Sequence, residues 1–471
     1  MYATSAEDKL KVAVGRFIVP IYRRWTRGNL ALPWLVGMMA LFFLAVAIYL
    51  IVRMYGIKSR WTIALIAGIM VTNVTVFAQT ATYEHELDVN MLALLFAVAA
   101  AYIWNKGHPI VVLIFGGGLA TLSMGIYQSY ISVTVFLVVF SSILSLLQGK
   151  GWKKTLIKGI LGMMMLVVGL MVYTYVSERM CEVYQIPLER RVHLLGEMDA
   201  ARVKELIRGT YQWFFDTLYH MACFPNKLLT RVNFFVVVSS VITMLYWIIQ
   251  DRTIKVLDVC LMLVLIALIP MATNMIYFLA RGEVHDLMHY ATWMIYAVYG
   301  VLIGLFVLRE GVPQWVKTLL KTVCVVTVGI LIWQNIAIAN IAYLKKDLES
   351  KAELSKMTRV VADMEEQEGY VAGETPVAFM GVSWIGGSIQ GFDQVGQITG
   401  HGFLMPISTD LTSWYFDAYR AYFEYILNYP IVMVEGRSWL WENETYRAMP
   451  TYPKEGYVQM IDGVLVVKMG Q

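Results

Sequence analysis

Three groups of residues have types and spacings suited to chemistry. The first is Thr80-Ala81-Thr82-Tyr83-Glu84-His85-Glu86-Leu87-Asp88, with three carboxylates at the entry to an apolar stretch. A carboxylate partly shielded from water can accept a proton from a sugar hydroxyl. Glu84, Glu86 and Asp88 are therefore candidate catalytic groups, Asp88 foremost because it lies nearest the apolar stretch. The ordinary counterpart is a solvated acidic loop in which Asp88 complements a helix N-terminus. The second group is basic: Arg16, Arg23, Arg24 and Arg27. Arginine holds phosphate oxygens through paired hydrogen bonds and stabilises charge developing on a leaving phosphate. Its ordinary counterpart is headgroup contact, and Arg190, Arg191, Arg202 and Arg208 are weaker candidates for the same role. The third group is Arg281-Gly282-Glu283-Val284-His285-Asp286 with His289. His285 is a candidate proton carrier or phosphate contact, or else a hydrogen-bonded cap. Tyr127 and Gln128 interrupt a long apolar run, and such breaks are tolerated only where buried or lining a cavity. With Tyr83 they are candidate cavity and acceptor contacts. No zinc spacing, phosphate-binding glycine loop, nucleophile elbow or paired-cysteine motif is present. No cofactor is expected with certainty; the acidic cluster leaves a divalent metal open, though a monophosphate leaving group does not demand one.

The elements that must hold these groups are membrane helices. Of 471 residues 58% are hydrophobic and 15% charged, with mean hydropathy +0.59. A soluble domain carries about 25% charged residues. A soluble enzyme, a disordered chain and a nucleic-acid-binding module are excluded, and a polytopic α-helical membrane protein is expected. Ten stretches have about the required length: 30–53, 61–78, 88–104, 109–126, 130–148, 155–176, 232–250, 255–280, 287–308 and 318–343. The fourth and fifth come from one run, split at Tyr127-Gln128-Ser129.

Loop charge gives these spans a direction. Alternate loops hold twelve basic residues, among them Arg53, Lys58, Lys106, Lys150, Lys153, Lys154 and Arg309; the opposite short loops hold one, Arg281. The first set is expected to be cytoplasmic. The acidic cluster then lies on the outer face, as do a long loop, 178–230, and the tail, 345–471. With ten spans the N-terminus is outside too, although residues 1–29 carry Lys9, Lys11, Arg16, Arg23, Arg24 and Arg27 and no signal peptide. An upstream helix missing from the reading frame would explain this. A basic interfacial segment at the inner surface is the rival explanation.

Three domains are expected: a basic outer or interfacial segment, 1–29; a transmembrane domain, 30–344; and an outer α/β domain, 345–471. Residues 199–220 place Val203, Leu206, Ile207, Phe214 and Leu218 at helical spacing, as in an amphipathic helix on the leaflet or a lid on the bundle. The tail has 10 basic and 17 acidic residues, a net of −7 that leaves +11 on the rest. It begins with a charged helix at 345–368, striped by Leu348, Leu354, Val360, Val361 and Met364. Strand-like runs follow at 376–382, 430–434, 457–461 and 464–469, the last two joined by Asp462-Gly463, a strong hairpin signal. Gly381, Gly386, Gly387, Gly391, Gly396, Gly400 and Gly402 mark a loop without the order of a nucleotide fingerprint. Cys181 and Cys223 are expected as free thiols, with a disulfide as the alternative; Cys260 and Cys324 are expected to pack within spans.

Several of these features together resemble the Gtr-type II glucosyltransferase family, best known for modifying O-antigen. They are Val14-Gly15-Arg16-Phe17, the Tyr83 to Asp88 entry, Gly125-Ile126-Tyr127-Gln128-Ser129, and the C-terminal Asp462-Gly463-Val464-Leu465-Val466-Val467-Lys468. The resemblance covers nearly the whole chain, and its force lies in the order of short motifs. It implies a GT-C-like membrane enzyme that moves a hexose, glucose by resemblance, from a polyprenyl-phosphate carrier to a cell-surface glycan. The implied location is the outer face of a bacterial cytoplasmic membrane. Family members usually begin with a further helix and an acidic motif; here only Glu7 and Asp8 precede the Gly-Arg step. On this reading Asp88, with Glu84 or Glu86, deprotonates the acceptor, and Arg16 with one of Arg23, Arg24 or Arg27 holds the phosphate. The alternatives are a lipid-linked sugar transporter or flippase, and a glycan polymerase or ligase. A carrier predicts internal repeats and charges at the midplane, and neither is visible. The lipid bilayer, the lipid-linked sugar and the glycan are the expected partners, and no nucleic acid.

Overall fold

The computed structural model describes residues 5–28, 30–188, 200–220, 223–282, 284–381, 391–395, 419–434 and 438–470. Arg190, Arg191, Glu283, Gly386, Gly387, Gly396, Gly400 and Gly402 lie outside them. The chain divides into two compact units: Lys9–Gly28 with Leu32–Asn340, and Met1–Asp8 with Asn29–Ala31 and Ile341–Gln471.

Among the described residues of the chain nine helices are long and apolar enough to cross a membrane. Several are interrupted where polar residues re-satisfy the freed backbone. Asn73 separates Arg60–Thr72 from Val74–Thr82. Its side chain donates to the carbonyls of Ile69 and Met70, at 3.1 and 2.9 Å, and accepts from the Val76 amide. The expected split of the 109–147 run is present: helix ends at Ile126, Tyr127 is extended, and helix resumes through Gln128–Tyr130 into Ile131–Leu147.

Helix Trp152–Tyr184 shows how sequence divides a span between protein and surroundings. Gly162, Met165, Gly169, Tyr173 and Ser177, at three- and four-residue intervals, are buried. Met163, Val167, Met171 and Tyr175, on the other face, are exposed apolar side chains of the kind lipid covers. Small residues bring the backbones together. A Cβ on Gly169 would stand 3.0 Å from the Gly117 carbonyl oxygen, and Thr121 Oγ1 donates to the Gly169 carbonyl at 2.9 Å.

Two expected boundaries differ. The stretch 255–280 is three short helices, Val256–Ala267, Ile269–Thr273 and Met275–Leu279. Pro270 lacks an amide donor, and Asn274 takes a non-helical conformation between the last two. The span expected at 318–343 and the charged helix expected at 345–368 are one helix, Gln314–Glu365. No glycine or proline falls between them, so the onset of charge does not stop the helix. The four cysteines are free; Cys260 is exposed and does not pack inside the bundle as expected.

The second unit has a four-stranded sheet in the order β2-β1-β4-β3, with β1 Pro376–Met380, β2 Val432–Met433, β3 Val458–Ile461 and β4 Val464–Lys468. β1 runs parallel to β2 and β4; β3 and β4 form the expected hairpin, with Ile461 opposite Val464. Asp462 and Gly463 both have positive φ, at 50° and 81°, as a two-residue turn of this hand requires. Alternate residues go to opposite faces. Val377, Phe379, Leu465 and Val467 pack with Met357, Val360 and Met364 of the long helix; Ala378, Met380 and Val466 pack with Leu440 and Tyr446. Leu354, placed in the expected stripe, is exposed.

Candidate active site

Of the N-terminal basic residues, Lys9 and Lys11 sit on helix Ser5–Ala13 and Arg23 and Arg24 on helix Ile18–Thr26; Arg16 lies in the turn between the helices and Arg27 just after the second. The two helices are joined by the motif Val14-Gly15-Arg16-Phe17. Gly15 has φ +76°, and a Cβ there would stand 2.2 Å from Tyr173 Oη, so no other residue fits without displacement. The turn is fastened to the break at Tyr127. Gln128 Nε2 donates to the Val14 carbonyl at 2.7 Å and to Tyr173 Oη at 2.8 Å. Phe17 stacks on Tyr173 with ring centroids 6.2 Å apart, and a Cβ on Gly125 would stand 2.6 Å from Phe17 Cζ. Two of the motifs that carried the family resemblance therefore touch each other.

The third motif joins them through charge. Lys11 Nζ lies 2.6 Å from Glu86 Oε1, with side chains 10% and 4% exposed. Arg27 Nη2 lies 3.3 Å from Asp88 Oδ1, with both side chains 1% exposed. Tyr22 Oη donates to Asp88 Oδ2 at 3.0 Å, and Arg27 also donates to the His85 carbonyl. Burial, then the Asp88 charge and its hydrogen bond, pushes the Tyr22 hydroxyl up from its ordinary range, so it remains a proton donor to the carboxylate. Buried charges persist only when paired and hydrogen-bonded, and here each carboxylate has its own cation.

Arg16 is placed differently. Its guanidinium carbon lies 4.3 Å from the centre of the Tyr127 ring. Its Nε is buried and finds no hydrogen-bond partner among the described residues, as do Arg27 Nε and Nη1. Burial pushes the Tyr127 hydroxyl up, while the Arg16 charge works in the opposite sense. Aromatic packing continues from Tyr127 to Tyr130 and Tyr290, at centroid separations of 6.0 and 5.8 Å. Gln79 Nε2 donates to Tyr130 Oη at 3.1 Å.

The structure thus brings Asp88, Glu86 and Arg27 into paired, buried contacts, and Arg16, Tyr127 and Gln128 onto the neighbouring turn. Glu84 and Tyr83 are exposed beside them. Arg23 is buried, whereas Arg24 is exposed and donates to Tyr184 Oη at 3.3 Å. His285 is exposed; the buried histidine of its segment is His289, stacked on Trp213 at 3.6 Å. Trp213 belongs to helix Ala200–His220, the expected amphipathic segment, which buries Leu206 and Phe214 but leaves Ile207 exposed. The three carboxylates that left a metal open, Glu84, Glu86 and Asp88, are not gathered into a ligand cluster among the described residues; Glu86 faces Lys11 and Asp88 faces Arg27. Sequence reading passed over Lys11, Tyr22 and Tyr173 as site residues. Their partners lie 45 or more positions away along the chain, so no local spacing announces them.

Comparison with curated proteins and with solved structures gives no match. A family model described as Glucosyl transferase GtrII matches residues 6–308, which include every motif of the candidate site. The match spans well over half of the chain, and the chain belongs to the GtrII glucosyl transferase family.

Proposed function

We propose that the protein transfers glucose from a polyprenyl-phosphate carrier to a cell-surface glycan at the outer face of a bacterial cytoplasmic membrane. The observation that carries this reading is the convergence of Arg16, Arg27, Glu86 and Asp88 at the start of the membrane helix Leu87–Lys106. The arrangement suits a donor that is lipid-borne and anionic and an acceptor that must lose a proton. Loop charge supports the outer face: of the short loops, those on the expected outer side hold a single basic residue. On the same reasoning the unit from Ile341 to Gln471 is extracytoplasmic.

In this mechanism the acceptor hydroxyl oxygen attacks the anomeric carbon of the donor. The bond from that carbon to the phosphate oxygen breaks, and the leaving phosphate takes the electron pair. The hydroxyl proton passes to the Asp88 carboxylate. Arg27 and Tyr22 hold that carboxylate in place, from opposite oxygens. Arg16, whose Nε has no hydrogen-bond partner among the described residues, receives the phosphate. Glu86 acts through Lys11 to fix the N-terminal segment, so its role is positioning. Tyr83, Gln128 and Tyr127 form the surrounding wall. A GT-C-like architecture agrees with many spans and a C-terminal unit bearing a small sheet.

The test uses membranes containing the protein, polyprenyl-phosphate carrying labelled glucose, and the host glycan. Label in the glycan as single added residues is expected. Label that crosses into vesicles without entering glycan would replace this reading with a carrier. Ladders of increasing length would replace it with a polymerase.

A further inference from the structure

At the far end of helix Leu87–Lys106 from Asp88 lies a second site of opposite character. The helix rises roughly 30 Å over its 20 residues, so the two sites are separate. A cleft of about 180 Å³ opens there, with Asn105, Lys106, Ser145, Gln148 and Lys150 in its lining. Tyr55 Oη and Ser141 Oγ, 3.0 Å apart, close another part of the wall. Lys158 stands behind it: its Nζ donates to the Asn105 carbonyl at 2.6 Å and to Oδ1 at 3.1 Å, and lies 4.8 Å from the Trp104 ring centre. Lys158 is within electrostatic reach of both Lys106 and Lys150.

Two observations make this more than ordinary loop charge. Among the described residues no carboxylate lines the cleft, and two acids of the 251–258 segment are already engaged. Asp251 accepts from Thr253 Oγ1 at 2.6 Å and pairs with Arg309; Asp258 accepts from the amides of Trp152 and Lys255 at 2.5 and 2.8 Å. The helices Pro33–Tyr55, Leu87–Lys106 and Ile131–Leu147 all end at the cleft, each bringing roughly half a negative charge. Three ammonium groups exceed that total. Lys106 and Lys150 are exposed, and their ammonium groups donate no hydrogen bond among the described residues; the amide of Lys150 donates to the Ser145 carbonyl. Exposed apolar side chains flank the cluster in sequence: Ile110, Ile114, Leu156 and Ile157. That is the pattern of a headgroup-level site with acyl chains alongside.

We propose that this cleft binds a phosphate-bearing anion through Lys106 and Lys150, with a phospholipid headgroup the favoured source and soluble phosphate the other. The volume suits a phosphate group. The site is independent of the transfer reaction.

The test titrates the purified full-length protein in detergent with phosphatidylglycerol, read by native mass spectrometry. Electrostatic attraction near a membrane surface is worth about fivefold per lysine. The variant Lys106→Gln with Lys150→Gln is expected to lose tenfold or more in affinity. The variant Lys153→Gln with Lys154→Gln, exposed neighbours absent from the lining, is expected to stay within twofold, and phosphatidylcholine to bind weakly to all. A second arm offers inorganic phosphate without lipid. Phosphate binding that the Lys106/Lys150 variant loses supports the anion site and assigns it to a soluble ligand. Equal losses in both double variants, or no loss in the first, would overturn the proposal. Unchanged thermal stability of both variants separates loss of binding from loss of fold.

Discussion

Asp88→Asn isolates the contact on which the site turns. The substitution keeps the shape of the side chain and leaves Arg27 charged. With both side chains 1% exposed and the atoms 3.3 Å apart, water cannot take over the lost charge. Removing one partner of such a pair costs about 3–5 kcal/mol, most of it the penalty of the charge left behind. Arg27→Gln is expected to cost a similar amount, and slightly more because the bond to the His85 carbonyl goes too. The double variant removes both charges together. Its destabilisation should fall short of the sum of the singles by about 0.5–3 kcal/mol, the usual range for residues in direct contact. The assay is the rate of irreversible inactivation of the detergent-purified protein at several temperatures, a suitable measure when membrane proteins do not refold. Glu205→Gln, in the exposed pair with Arg202, is the control and should change the rate little. Additive single effects, or an Asp88→Asn variant as durable as the wild type, would refute the buried pair.

Further expectations follow from neighbouring contacts. Gly15→Ala should destabilise by about 1–2 kcal/mol from the left-handed backbone alone, with a further cost from the approach to Tyr173 Oη; the same inactivation assay checks this, and Tyr173→Phe should recover part of the loss. Burial holds His289 well below its ordinary range, so it is neutral when folded and gains a proton on unfolding below about pH 6.5. Its contribution is therefore full above that pH, and stability should fall by up to about 1.4 kcal/mol for each unit of acidification below it, down to the depressed folded value. His289→Phe should flatten that slope in inactivation measured across pH 5–7. Arg16→Lys, which keeps the charge but removes the planar fork, should cut glucose transfer at least tenfold while leaving thermal durability near wild type.

What could be read from the sequence was local. The Asp462-Gly463 hairpin was legible because its two positive φ values demand those residue types. The break at Tyr127 was legible because polar residues in an apolar run have one structural use. The eighth stretch misled because windowed hydropathy is indifferent to Pro270, which divides it. The join at 344–345 misled because charge changes the solvent of a helix without ending it. In the site, the residue types of Asp88, Glu86, Arg16 and Arg27 pointed to acid–base and phosphate chemistry. Which cation meets which carboxylate was not legible. Lys11 takes Glu86 and Arg27 takes Asp88 through packing of segments 61 and more residues apart. That pairing also narrows the roles: Arg27, a candidate phosphate ligand by type, is committed to Asp88, which leaves Arg16 the better placed.

The most direct measurement is the single-turnover rate of labelled glucose transfer from its polyprenyl-phosphate carrier to glycan, compared for wild type, Asp88→Asn and Glu84→Gln, each normalised to folded protein. With Asp88 as the proton acceptor, Asp88→Asn should lose at least a hundredfold in rate, the usual minimum for removing a general base. Glu84→Gln should remain within a few-fold of wild type. Transfer that survives Asp88→Asn unchanged, or that collapses only with Glu84→Gln, would contradict the account.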